Sequence, residues 1–400
     1  MKGSLPGRRI HALGVAARHR AGTSRCHRGR PGRPRRRSGW RHRRPGVCLR
    51  LPDFDPHVPG LFARVRARFP GAHLVGGSAG GVIGADHEVE RAPGLSLVAA
   101  SLPGVRVRPF HLRQSQLPAP DAPAEAWRAL VGGPDGHAIV LSDPYTLDSE
   151  RLIAGLTAAL PGGVVLGGLA SGGLRPYSHT LLADAALHRE GVAGVILEGN
   201  VLVDAVVAQG CRPVGDPMFV TRSDRNILYS LDDQPAMAGL QAAMNRLCPA
   251  DRARARESVF VGVVMDPARQ AYGPGDFLIR TLVGLDPRSG ALVVGARLAP
   301  HAVVQFHVRD AAAAAADLEG LLRRARRPRP PAGALVFSCL GRGRCLYGVP
   351  DHDLGLIQAE LGPLPVGGMF CNGEIGPVQG LTCLHGYTSA IALFRPRTDA

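Results

Sequence analysis

PLPVGGMFCNGEIGPVQGLTCLHGYTSAIALF, residues 363–394, is the stretch from which the rest of the chain is best read. It opens on a short apolar run ending in Gly367-Gly368, crosses a polar connection holding Cys371, Asn372, Glu374 and His385, and closes on the apolar, β-branched run TSAIALF. Paired glycines at a strand end admit positive φ or the close approach of another backbone. Polar residues on a connection between two core strands are where binding and catalytic groups usually sit.

Working outward, the same arrangement recurs. Four segments place apolar residues on one helical face: Phe62, Val65, Phe69; Ile153, Leu156, Leu160; Met237, Leu240, Met244; and Leu354, Ile357, Leu361. Three end in a Pro/Gly breaker and run into strands closing on Gly76-Gly77, Gly167-Gly168 and Gly367-Gly368. The third segment is followed by CPADRARARES and VFVGVVM, which keeps only Gly262. Further apolar runs follow each glycine site. The expectation is an α/β fold with two related halves, built from about four β-α-β-β repeats, its mixed sheets covered by helices. Gly77, Gly168 and Gly368 should occupy equivalent strand ends. A Gly/Pro cluster in VVAQGCRPVGDP puts the division near residue 209, giving domains 51–208 and 209–396.

The formal charge of +16 is confined to one place. Residues 1–50 hold 16 Lys and Arg with no Asp or Glu, leaving 32 basic against 32 acidic residues in 51–400. The first 50 residues lack apolar periodicity and are expected to be a disordered basic arm. The body lacks the net basic charge of a nucleic-acid binder, and its 5% aromatic content is too low for stacking platforms. No apolar run reaches the roughly 18 residues of a membrane helix, so a cytoplasmic protein is expected. Eight cysteines occur without CxxC or metal-type Cys/His spacing, so free thiols, no metal and no cofactor are expected.

HLVGGSAGGVIG lacks both the Lys-Ser/Thr ending of a phosphate loop and GxGxxG spacing, and reads as close strand packing. Gly76, Gly77, Ser78 and, after the second glycine pair, Ser171 are its candidate ligand contacts. Arg280 in DFLIR and Arg309 in QFHVRD fall on apolar strand-like runs, where a guanidinium either meets an internal acid or binds a carboxylate.

The ordered set HLVGGSAGGVIG, GDFLIRTLVGLDPRSGALVVGARLAPHAVVQFHVRDAAAAAADL, GALVFSCLGRG and LPVGGMFCNGEIGPV with HGYTSAIALF resembles the FIST family, the sensory domain of F-box and intracellular signal transduction proteins. The resemblance covers roughly residues 51–395 and implies an N-type followed by a C-type FIST domain. It implies a small-molecule sensor whose ligand is an amino acid or similar zwitterion. No kinase, receiver, cyclase or F-box segment is visible, so the output falls to a separate signalling protein. In that reading Arg280 or Arg309 meets the carboxylate and Glu374 the ammonium group, with Gly367, Gly368, Cys371, Asn372 and His385 around them. The alternative is a hydrolase or transferase using Cys371 as nucleophile with His385. The family would also place a buried strand before PDFDPHVPGLF, so a mis-assigned start is a second reading of residues 1–50.

Overall fold

The run GALVFSC forms the strand Gly333–Cys339, buried throughout and parallel to Val366–Cys371. A strand covered on both faces reads as an unbroken apolar run, and parallel neighbours need a crossover, here carrying the helix His352–Leu361. The same construction occurs earlier. His137–Ser142 runs parallel to Val165–Leu169 across the helix Ser149–Ala159, whose N-cap Asp148 accepts from the Arg151 amide at 3.0 Å. The expected apolar faces are the buried ones: Ile153, Leu156 and Leu160 in one unit, Leu354 and Ile357 in the other. The computed structural model describes residues 11–18, 48–50 and 58–397, apart from 85, 185, 270 and 274.

Each parallel pair sits in a six-stranded mixed sheet. One runs 381–385, 374–378, 165–169, 137–142, 192–199, 105–112; the other runs 202–209, 388–395, 333–339, 366–371, 81–84, 87–90. A third version of the pattern begins the described chain. His11–Arg18 and Cys48–Arg50 flank Gly94–Ser101, and Val75–Gly77 follows the helix Val58–Arg68.

The three versions exchange parts. The hairpin 81–90, which follows Val75–Gly77, lies on Val366–Cys371; the hairpin 374–385, which follows that strand, lies on Val165–Leu169. The hairpin 181–188, which follows Val165–Leu169, returns to Val75–Gly77 and closes the ring. Inner faces meet in one core through Leu141, Leu166, Phe337, Met369, Leu181 and Val98. Outer faces are covered by helices, with Trp127 and Leu152 on one side and Leu318 and Ile357 on the other.

Between 202–209 and 333–339 the chain makes a seven-stranded antiparallel sheet ordered 211–224, 303–309, 259–264, 277–286, 291–294, 227–231, 234–235, and 227–231 pairs back with 211–224 to close a barrel. This corrects the expected repeat count. The helix Ala236–Asn245 forms where Met237, Leu240 and Met244 placed it, but VFVGVV is flanked antiparallel on both sides, so no third β-α-β unit exists there. Apolar periodicity reports burial and is silent on strand direction. The described chain has two β-α-β units with a parallel pair, a strand-helix-strand segment before them whose two strands lie in separate sheets, and an inserted barrel, instead of four repeats in two related halves. The strand Leu202–Gln209 passes through Gly210 directly into Cys211–Asp224, so the expected division near 209 falls where the chain leaves the six-stranded sheet for the barrel. Of the expected basic arm, His11–Arg18 and Cys48–Arg50 are strands; the remainder of 1–50 lies outside the described residues.

A methyl group on Gly368 would collide with the Val336 carbonyl oxygen of the neighbouring strand, whereas Gly355, exposed on the helix His352–Leu361, has nothing within 4 Å of that position. Gly368→Ala should therefore destabilise by about 1–3 kcal/mol. Gly355→Ala should stabilise by up to about 1 kcal/mol. Thermal or urea unfolding of the two variants checks the contrast.

Candidate functional site

The carboxyl ends of the parallel strands converge on a cavity of about 360 Å³. Leu169 comes from one sheet; Cys339, Leu340 and Gly341, then Cys371, Asn372 and Gly373, come from the other. The turn Leu384–Tyr387 forms one wall, and Ile279, Arg280, Thr281 and Gly295 of the barrel another. Glu150, in the first turn of Ser149–Ala159, stands at the rim. Open α/β sheets bind ligands outside the carboxyl ends of their strands, and small-molecule pockets span roughly 300–1,000 Å³.

Arg280 is the cation of this cavity. Its side chain is only 14% exposed, and its nearest acid among the described residues is Glu150, at 3.9 Å and itself 73% exposed. One guanidinium nitrogen donates to the Leu384 carbonyl at 3.0 Å and more weakly to that of Ile279. Burial works against its charge, lowering its pKa, with Glu150 opposing that shift. A guanidinium so placed has only a long pairing to an exposed carboxylate and lines the cavity, where its fork of donors suits a bound anion.

Cys371 and His385 both line the cavity but are not coupled as a nucleophile and base. The Cys371 thiol points at the Met369 carbonyl, 3.7 Å away, and burial, with Glu374 and Cys339 nearby, pushes its pKa well above the ordinary value. His385 donates from Nε2 to the Gly376 carbonyl at 2.9 Å, and burial lowers its pKa to about 4. A thiol held protonated, with no hydrogen bond to an imidazole whose N–H is used elsewhere, is not an activated nucleophile. Asn372 donates from Nδ2 to the Ala170 carbonyl at 3.1 Å, which turns its amide oxygen away from that bond.

The other expected site residues lie elsewhere. Glu374 is fully buried outside the cavity lining, and its Oε2 accepts from the Thr388 amide and hydroxyl at 3.1 and 2.8 Å. The expected pairing of Glu374 with a ligand ammonium is therefore corrected: its carboxylate is buried against Thr388 and lies outside the cavity lining. Gly76 and Gly77 pair with Leu182 and Leu181, Gly367 and Gly368 pair with Gly84 and Ile83, and all four are structural. Ser78 accepts from the Thr180 amide at 3.0 Å; Ser171 accepts from the Gly80 amide at 2.8 Å and donates to the Phe370 carbonyl. Arg309 stops beside the cavity, donating to the Gly341 carbonyl with its guanidinium 5.3 Å from the centre of the Tyr387 ring. Asp310 turns from it to cap the helix Ala311–Arg324 and pair with Arg212.

Glu150, Thr281, Cys339, Gly341 and Tyr387 were not among the expected site residues. GALVFSCLGRG was legible as a strand followed by a glycine turn, and the carboxyl end of such a strand points to Cys339 and Gly341. Nothing local marks Glu150. It reaches the site because the hairpin 374–385 adds to its own sheet.

Residues 47–234 match the family model of the FIST N domain, and residues 240–377 that of the FIST C domain. The chain belongs to the FIST family. FIST domains are sensory domains of signalling proteins. The uncharacterized protein MT0656 of Mycobacterium tuberculosis is 40% identical over 343 residues, 84% of this chain and 86% of that protein. The uncharacterized protein Mb0898c of Mycobacterium bovis is 39% identical over 330 residues, 80% and 82% of the two chains. Among the described residues no helix is long and apolar enough to cross a membrane.

Burial raises the Glu374 pKa from the ordinary 4.5 to about 8, against the two bonds from Thr388 that lower it. The folded state therefore holds a proton that the unfolded chain releases above its own value, and stability falls as pH climbs from about 4.5 to about 8. Glu374→Gln, which mimics the protonated acid, should flatten that part of a melting-temperature profile while leaving the fold intact near pH 6.

Proposed function

We propose that this FIST protein is a sensor that binds a small carboxylate-bearing molecule of the amino-acid class in the cavity, without chemical turnover, and signals through a separate protein in the cytoplasm. The observation that carries this reading is Arg280: a guanidinium on a cavity wall, largely screened from solvent, whose nearest acid stands at 3.9 Å. Arg280 receives the ligand carboxylate. Glu150 takes the role expected of Glu374, because its carboxylate stands at the rim where a ligand ammonium would follow a carboxylate anchored on Arg280. The neutral His385 ring and the Thr281 and Tyr387 hydroxyls, 3.2 Å apart, supply the remaining polar wall.

The thiol-enzyme alternative gains no support from a protonated Cys371 beside a His385 bonded to a carbonyl. A panel of amino acids and their decarboxylated amines, screened by melting-temperature shift, tests the binding reading, because a ligand that binds only the folded state must raise stability. An amino acid should shift the melt and its amine should not. A charge-assisted hydrogen bond contributes roughly 1.5–3 kcal/mol, so Arg280→Met should weaken binding about tenfold to a hundredfold. Cys371→Ala should leave affinity nearly unchanged. A panel with no responder, or equal binding by Arg280→Met, would sink the proposal.

A further inference from the structure

Cys339 and Cys371 lie 32 positions apart in sequence and have no metal-type spacing, yet they are register partners at the ends of adjacent parallel strands. Both are buried, both line the cavity, and both are free thiols. Opposed residues of neighbouring strands project to the same face from backbones about 4.8 Å apart. A disulfide asks for Cβ atoms about 3.5–4.5 Å apart, closer than regular pairing holds two such side chains. The register pairing therefore sets two thiols side by side at the cavity without the spacing of a disulfide.

We propose that Cys339 and Cys371 form a two-coordinate site for a soft, thiophilic cation of the Cu(I) type, entered through the cavity. Thiolates select soft cations of this kind. On binding, both S–H protons leave to solvent, two sulfur–metal bonds form, and no electron is transferred. Two neutral thiols and a monovalent cation become a complex of charge −1. Arg309 stands close enough for its charge to act on Cys339 and supplies the counter-charge. Glu374 acts on both thiols, and its Oε1 is a buried oxygen with no hydrogen-bond partner among the described residues. Among the described residues no group of three or more His, Cys, Asp or Glu is arranged to hold a metal. The site rests on sulfur and not on Arg280, so it stands or falls separately from carboxylate binding.

The test uses the full-length reduced chain carrying Cys248→Ser and Cys345→Ser, which removes two exposed thiols. It is titrated anaerobically with Cu(I) against bicinchoninate as competing chelator. One Cu(I) per chain should be withheld from the chelator, with X-ray absorption reporting two sulfur neighbours. Cys339→Ser and Cys371→Ser should each lower the affinity at least about tenfold, since loss of even an outer-shell partner costs that much. Arg280→Met should retain the copper. Affinity unchanged in both serine variants, or a folded chain that yields all its copper, would overturn the proposal. Should a serine variant fail to fold, X-ray absorption on the parent chain decides, and any coordination other than two sulfurs overturns the assignment.

Discussion

The structure depends on one contact made three times: a hairpin laid along a strand whose paired glycines carry no side chain. Gly168 faces the Cys371 side chain, and Gly368 the Val336 carbonyl, at distances that leave no room for a methyl group. A strand so bare can be approached closely on its face while its edge accepts the hairpin of another copy. Because each hairpin is given to the strand of another unit, four of the sheets share one interior. The cavity is a product of that exchange. It draws on positions from Glu150 to Tyr387, and the hairpin 374–385 is what carries His385 and Tyr387 to Leu169 and Glu150.

A second set of contacts holds the loop that forms the cavity's lip. Arg342, wholly buried, grips Asp353 through Nε at 2.7 Å and Nη2 at 3.1 Å, and donates to the Tyr347 hydroxyl at 2.6 Å. Although burial pushes the Asp353 carboxyl up, this guanidinium, with His352, holds it below the usual range. From the exchanged hairpin, Glu88 accepts the Leu354 amide and Glu90 the Arg344 amide. Buried ion pairs of this kind add little net stability and are costly to break on one side, so their effect is to fix geometry. Here they fix the chain that follows Cys339, and with it Leu340 and Gly341 at the cavity wall.

Within the cavity the charge distribution is uneven. Arg280 is the residue whose charge is least matched by an acid at short range, while Cys371, His385 and Cys339 are held neutral by burial. The cavity wall thus combines one cation, neutral hydrogen-bonding groups and a rim carboxylate.

What the amino-acid sequence determined by itself was local. The spacing of Ile153, Leu156 and Leu160 marked a buried helical face, and the glycine pairs marked places of close approach. These follow from periodicity and backbone sterics, which act over a few residues. The motif order was also enough to point to the FIST family. Tertiary structure decided which strand receives which hairpin, that the segment around Gly262 is an antiparallel barrel, and which polar residues face the cavity. Glu374 and His385 are opposed residues on one hairpin, yet Glu374 turns inward to Thr388 while His385 reaches the cavity. Arg280 and Glu150 meet because a barrel strand and a helix end are brought together by pairings more than a hundred residues apart. Side-chain pattern sets what is buried, but long-range pairing sets what it is buried against.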